Sequence, residues 1–117
     1  MFPSAREPGW MLKLVLSAYA ATEDPFYLNA AHLMARACRR RNLESGDHGF
    51  YFHPLSPGHC DCPAEARHSG EAGFMLAIQM TGLAMYHDGT GDPETAADIA
   101  RTARYVVDAM WNPQEGG

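Results

Sequence analysis

Apolar residues recur at helical spacing over four stretches of the chain. After Pro93, the residues Ala96, Ile99, Ala100, Ala103, Val107 and Met110 fall on one helical face, while Asp98, Arg101 and Asp108 fall elsewhere. After Pro25, Tyr27, Ala30, Ala31, Met34 and Cys38 follow the same 3.6-residue period. The two stretches that precede these, residues 9–22 and 69–87, are apolar nearly all round, which predicts helices buried on more than one side. Met11, Met34, Met75, Met80, Met85 and Met110 fall within the helical stretches and read as gap-filling core. The pattern therefore predicts an all-α fold, a single helical domain over 1–117. Its four helices form two antiparallel hairpins, 9–41 and 69–112, joined by a long irregular loop over 42–68. Two such hairpins alone would leave one side of the all-apolar helices wet.

The hairpins look like two copies of one unit. Gly9-Trp10-Met11-Leu12 recurs 64 residues later as Gly73-Phe74-Met75-Leu76, and the same offset sets Leu14 against Ile78, Leu16 against Met80, Ser17 against Thr81 and Ala20 against Ala84. Each apolar run then meets an Asp-Pro pair, Asp24-Pro25 and Asp92-Pro93. The second approach is four residues longer, so the offset becomes 68 and brings Ala35 onto Ala103 and Arg36 onto Arg104. Both Asp-Pro pairs are helix starts. The Asp side chain caps free backbone N–H groups, and Pro fits the first helical position.

Composition narrows the classes of function. Nine Lys plus Arg stand against fourteen Asp plus Glu, a net charge of −5, and 46 % of the residues are hydrophobic. That is the balance of a globular chain. The acidic surplus argues against a nucleic-acid partner, and the one basic cluster, Arg39-Arg40-Arg41, is short. The longest apolar stretch, around 10–21, is broken by Lys13 and falls short of the ~20 residues that span a bilayer, so no membrane is expected as a partner. Residues 1–8 carry no basic start followed by an apolar core, so no export signal is expected there. Cys38, Cys60 and Cys62 make an odd count, and the close pair would form a strained disulfide, which favours free thiols or metal ligands.

The candidate chemistry concentrates in the loop and at its exit. It is rich in Gly, Pro and His, and a segment of that length inside a compact domain is functional or disordered. Residues 49–53 read as a short strand or an aromatic flap, after which Pro54, Pro57, Gly58 and Pro63 oppose regular structure. His59, Cys60 and Cys62, with His68 and His53 near, could supply three or four soft ligands to a zinc ion, the one cofactor the sequence suggests. The alternative is that these cysteines pack or stay free. His48, Tyr51, His53 and His68 are candidates for proton transfer, and Asp47, Asp61, Glu65 and Glu71 offer carboxyl groups. A Glu at the start of a helix, as Glu71 is expected to be, is also favoured by the helix dipole alone. Phe50, Tyr51 and Phe52 could form a stacking platform or pin the loop to the helices, and Trp10 could line a groove or pack as core or interface. His32, His87, Arg36 and Arg104 read as structural or surface groups.

An apolar helix ending in Tyr86-His87-Asp88-Gly89-Thr90-Gly91-Asp92-Pro93, followed by an amphipathic Ala-rich helix, resembles the hairpins of the (α/α)-toroid, or six-hairpin glycosidase-like, superfamily. Thr22-Glu23-Asp24-Pro25 with Tyr19 upstream carries the same resemblance. It implies a ring of helical hairpins whose long loops form a carbohydrate cleft, as in glycoside hydrolases, polysaccharide lyases and sugar epimerases. Loop 42–71 would then contribute to the cleft, with His48, His53, His68 and Glu71 catalytic and Phe50, Tyr51, Phe52 and Trp10 binding substrate. Two hairpins are a third of such a ring. The chain is thus expected to be a fragment whose partner is the remainder of a larger chain, or a small relative that buries its open sides in a homo-oligomer. The alternative is a non-enzymatic helical-hairpin repeat module for protein–protein interaction, with or without a zinc staple.

Overall fold

A computed structural model describes residues 5–44, 53–54, 69–70 and 73–110. They are all-α apart from one minimal strand pair. The order is α1 (Arg6–Thr22), α2 (Pro25–Glu44), β1 (His53–Pro54), β2 (Ser69–Gly70), α3 (Gly73–Thr90) and α4 (Pro93–Tyr105), which continues into a π-helical turn, Val106–Met110. The core is built by α1 against α2 and α3, with α4 against α3. Leu12, Leu16, Ala31, Ala35, Cys38, Leu83 and Tyr86 form its main cluster, and Ala5 with Leu76 a smaller one.

The two inter-helix turns share four hydrogen bonds. In the first, Thr22 Oγ1 donates to Ala18 O (2.8 Å), Asp24 N donates to Thr22 Oγ1 (3.2 Å), Phe26 N donates to Asp24 Oδ1 (2.9 Å), and Glu23 N donates to Tyr19 O (2.7 Å). In the second, Thr90 donates to Tyr86 O (2.8 Å), Asp92 N to Thr90 (3.3 Å), Glu94 N to Asp92 Oδ1 (3.3 Å), and Gly91 N to His87 O (2.7 Å). Every partner in the second turn lies 68 positions after its counterpart in the first. The residue after the threonine is left-handed in both, Glu23 at φ 58° and Gly91 at φ 70°. Glycine is at ease there, whereas a side chain with a Cβ costs about 1–2 kcal/mol.

The shared turns correct the register of the repeat. Both α1 and α3 run unbroken into them, so 68 is the structural offset along the whole unit and Gly9 corresponds to Ala77, not to Gly73. Burial does not decide the register, since Gly9 is buried whereas Gly73 and Ala77 are both exposed, so the turns alone set it. The 64-residue match arises because four residues are close to one helical turn, so an apolar helix pattern nearly matches itself after a four-residue slip.

Four boundaries also differ from the periodic reading. Helix α1 begins at Arg6, with Ala5 and Pro8 buried, since proline is tolerated in a first turn. Helix α2 runs on to Glu44 because Asn42, read from sequence as loop, is fully buried. Ser69 and Gly70, expected in the third helix, pair instead with Pro54 and His53, and α3 starts at Gly73. Pro54 fits this pair because a two-strand ladder is all edge. Finally, α3 reaches Thr90, past the expected end at His87.

The face of α4 is corrected most. Its buried residues are Thr95, Asp98 and Thr102, while Ala100 and Val107 are exposed. Asp98 is buried because Arg39 of α2 and Arg101 meet it, so the polar edge of α4 turns inward and its apolar edge faces a groove. Of the expected α2 face, Ala31 and Cys38 are buried and Tyr27, Ala30 and Met34 half-buried, while Ala35 and Asn42 join the buried set. Met11 is exposed and Met80 lines the groove rather than filling core.

Candidate functional site

Two polar assemblies and one apolar surface emerge from this packing. The first assembly joins α2 to α4. Arg39 pairs with Glu94 through Nη1, its Nε lies 3.9 Å from Asp98 Oδ2, and Arg101 Nη2 donates to Asp98 Oδ1 at 2.7 Å. Cys38 is fully buried beside this seam, and burial, reinforced by the Asp98 charge, pushes its thiol up to about 12. Such a thiol stays protonated and is neither nucleophile nor metal ligand at neutral pH. Outside the seam, Arg36, Arg39, Arg40, Leu43, Glu44 and Glu94 border an open cavity of about 530 Å³.

The second assembly ties α2 to α3. His32 Nδ1 lies 2.7 Å from the Tyr86 hydroxyl, with the rings edge to face at 5.6 Å. Burial, with a smaller push from the Asp92 carboxylate, raises the Tyr86 phenol against the opposing effects of Arg36 and Thr90. The phenol thus stays neutral across physiological pH and serves as a hydrogen-bonding tether. Further along, Asn42 Nδ2 donates to Gln79 Oε1 at 3.3 Å, and both residues are fully buried. Asn42 Oδ1 and Gln79 Nε2 find no further partner among the described residues. Sequence reading missed both pairs, because their members stand 37 and 54 positions apart and no local spacing links them.

The apolar surface is the groove between α3 and α4, about 580 Å³ in volume. Its floor is Leu76, Ala77, Met80 and Ala84, and its wall is Ile99, Ala103 and Val106. On α1, Trp10 is 51 % exposed and Leu14 70 %, and Lys13 Nζ sits 4.8 Å from the centroid of the Trp10 ring. Trp10 therefore belongs to an exposed helix face, not to the core.

The remaining sequence candidates fall elsewhere. The backbone of His53 lies in β1 opposite Gly70. His48, His68 and Glu71, the aromatic run Phe50, Tyr51 and Phe52, and the zinc candidates His59, Cys60 and Cys62 lie outside the described residues. Among the described residues no three His, Cys, Asp or Glu side chains gather as a metal site, and no helix is long and apolar enough to cross a membrane. The chain matches no family model, no curated protein and no solved structure.

Proposed function

We propose that this chain is a helical repeat module whose work is lateral protein–protein assembly through the α3–α4 groove. The observation that supports it is the open apolar surface of that groove, lined by the exposed Ala77 and the half-buried Met80 and Ile99 and continued by the 57 % exposed Val107. A monomer gains nothing from leaving such a surface wet, and contiguous apolar surface of this kind marks interaction sites. Repeat units bury their faces by stacking on neighbours. The test is light scattering of the wild-type chain and an Ala77→Glu variant. Ala77 is exposed on the groove floor, so the charge is tolerated by the fold. The wild type is expected to exceed the 12.8 kDa of one chain and the variant to fall back to it; a wild-type monomer sinks the reading.

A second reading keeps the resemblance to carbohydrate-active toroids. The two helix pairs are then antiparallel hairpins of one ring, and loop 42–71 lines a sugar cleft with His48, His53, His68 and Glu71 as proton-transfer groups. The four hydrogen bonds shared by the two Thr-x-Asp-Pro turns, the motif that carries the resemblance, favour it. A sugar-dependent rise in melting temperature that vanishes in His68→Ala and Glu71→Ala tests it, provided both variants keep their helicity. Absence of any shift across a panel of oligosaccharides would count against it.

A further inference from the structure

We infer that the occupant of the α3–α4 groove is helix α1 of a second copy of this chain, docked head to tail as α3 docks on α1 within one copy. The inference rests on the assembly reading above and names its partner. It follows from the 68-residue register. The buried residues of α1 are Pro8, Gly9, Leu12 and Leu16, and α3 makes close backbone contact there, at Gly9. Moved forward by 68 positions they become Leu76, Ala77, Met80 and Ala84, the floor of the open groove. The wall repeats in the same way. Ala31, Ala35 and Cys38, buried on α2, become Ile99, Ala103 and Val106, which are only half-buried. Apart from Leu76, which is buried in its own copy, the second unit thus leaves exposed or half-buried the surface that the first unit has covered.

The same register identifies what would cover it. Within one copy, the α3 residues that meet Gly9 are Ile78, Gln79 and Gly82. Moved back by 68 positions they become Trp10, Met11 and Leu14, three large apolar side chains exposed on α1. Each chain therefore carries a socket on α3–α4 and its plug on α1. Their separation on the molecule makes the contact heterologous, closing into a ring or extending as a filament according to the rotation per copy. Where Gly9 meets Gly82 inside a copy, Ala77 would meet Leu14 between copies, so the intermolecular helices stand further apart than α1 and α3.

Two variants separate this arrangement from any other self-association. Ala77→Glu blocks the socket and Leu14→Glu blocks the plug; both positions are exposed in a single copy, so circular dichroism should show unchanged helicity. Each variant alone is expected to lose higher assembly, with association weakened by about a hundredfold because a buried charge lacks a partner. Mixed in equal amounts, they should form a one-to-one complex that stops at two chains, since one socket and one plug remain intact. If Ala77→Glu dissociates the assembly while Leu14→Glu does not, or if the mixture stays monomeric, the head-to-tail inference is overturned while assembly through the groove stands. A wild-type chain that is monomeric at 100 µM, about a hundred times the concentration at which a contact of micromolar strength is half formed, overturns both.

Discussion

Gly9 and Gly82 cross backbone to backbone: a Cβ built on Gly82 would lie 2.6 Å from the carbonyl oxygen of Gly9, and one built on Gly9 would lie 2.6 Å from the carbonyl carbon of Ile78. The α1–α3 interface, the most extensive among the described elements, is thus set by two absent side chains. Its closeness lets Leu12 and Leu83 join one core cluster from opposite helices.

Gly82→Ala should therefore force α1 and α3 apart and cost about 1–3 kcal/mol, as overpacking does when backbone rather than a flexible side chain must yield. Gly89→Ala, in the same helix with nothing within 4 Å, serves as the control and should be neutral or stabilising by about 0.5–1 kcal/mol. Urea denaturation followed by circular dichroism measures both. Equal effects at the two positions would show that the close approach carries no energetic weight.

Asp92 caps α4 by accepting from Glu94 N and from Thr95 Oγ1 at 2.7 Å. Its carboxyl is held below the ordinary range, first by the Thr95 hydroxyl and then by backbone N–H groups and Arg39, against a partial desolvation. A carboxylate depressed in the folded state contributes stability that is full above the unfolded pKa of about 3.9 and is lost as pH falls through the folded value. Asp92→Ala should cost about 0.5–2 kcal/mol at neutral pH. In denaturation curves the gap between wild type and Asp92→Asn should narrow between about pH 5 and pH 2. A gap constant over that range would mean that the charge contributes nothing.

Cys38, buried and with its thiol pushed up to about 12, should resist alkylation in the native protein. Peptide mapping after iodoacetamide treatment distinguishes it from Cys60 and Cys62. Labelling of Cys38 should proceed only at the rate of unfolding and accelerate in urea. Rapid native labelling would show that α2 opens locally without global unfolding.

The parts of this fold that were legible in the sequence are those fixed by neighbours in the chain. The Asp-Pro turns could be read because capping acts within three residues, and the buried face of α2 because Ala31 and Cys38 pack as their period suggests. The face of α4 was not legible. Asp98 looks like a surface residue until Arg39, on another helix, is known to meet it. The pairs His32–Tyr86 and Asn42–Gln79 were hidden for the same reason. The repeat was visible, yet its register slipped by one turn, because Gly73 resembles Gly9 in type and only contact with α3 distinguishes them. Of the loop candidates, only the backbone of His53 falls among the described residues, so the chemistry expected from the others stays a reading of residue types.

The doubled turn also has a kinetic meaning. Its hydrogen bonds join residues no more than four apart, so each turn can form as soon as its own stretch of chain is free, at almost no loop-closure cost. The Gly9–Gly82 crossing instead joins residues about 70 positions apart, and closing that longer loop costs roughly 2–3 kcal/mol more on the logarithmic scaling of chain entropy. Each helix pair is therefore a nucleus in its own right, and the slow event in folding is their meeting.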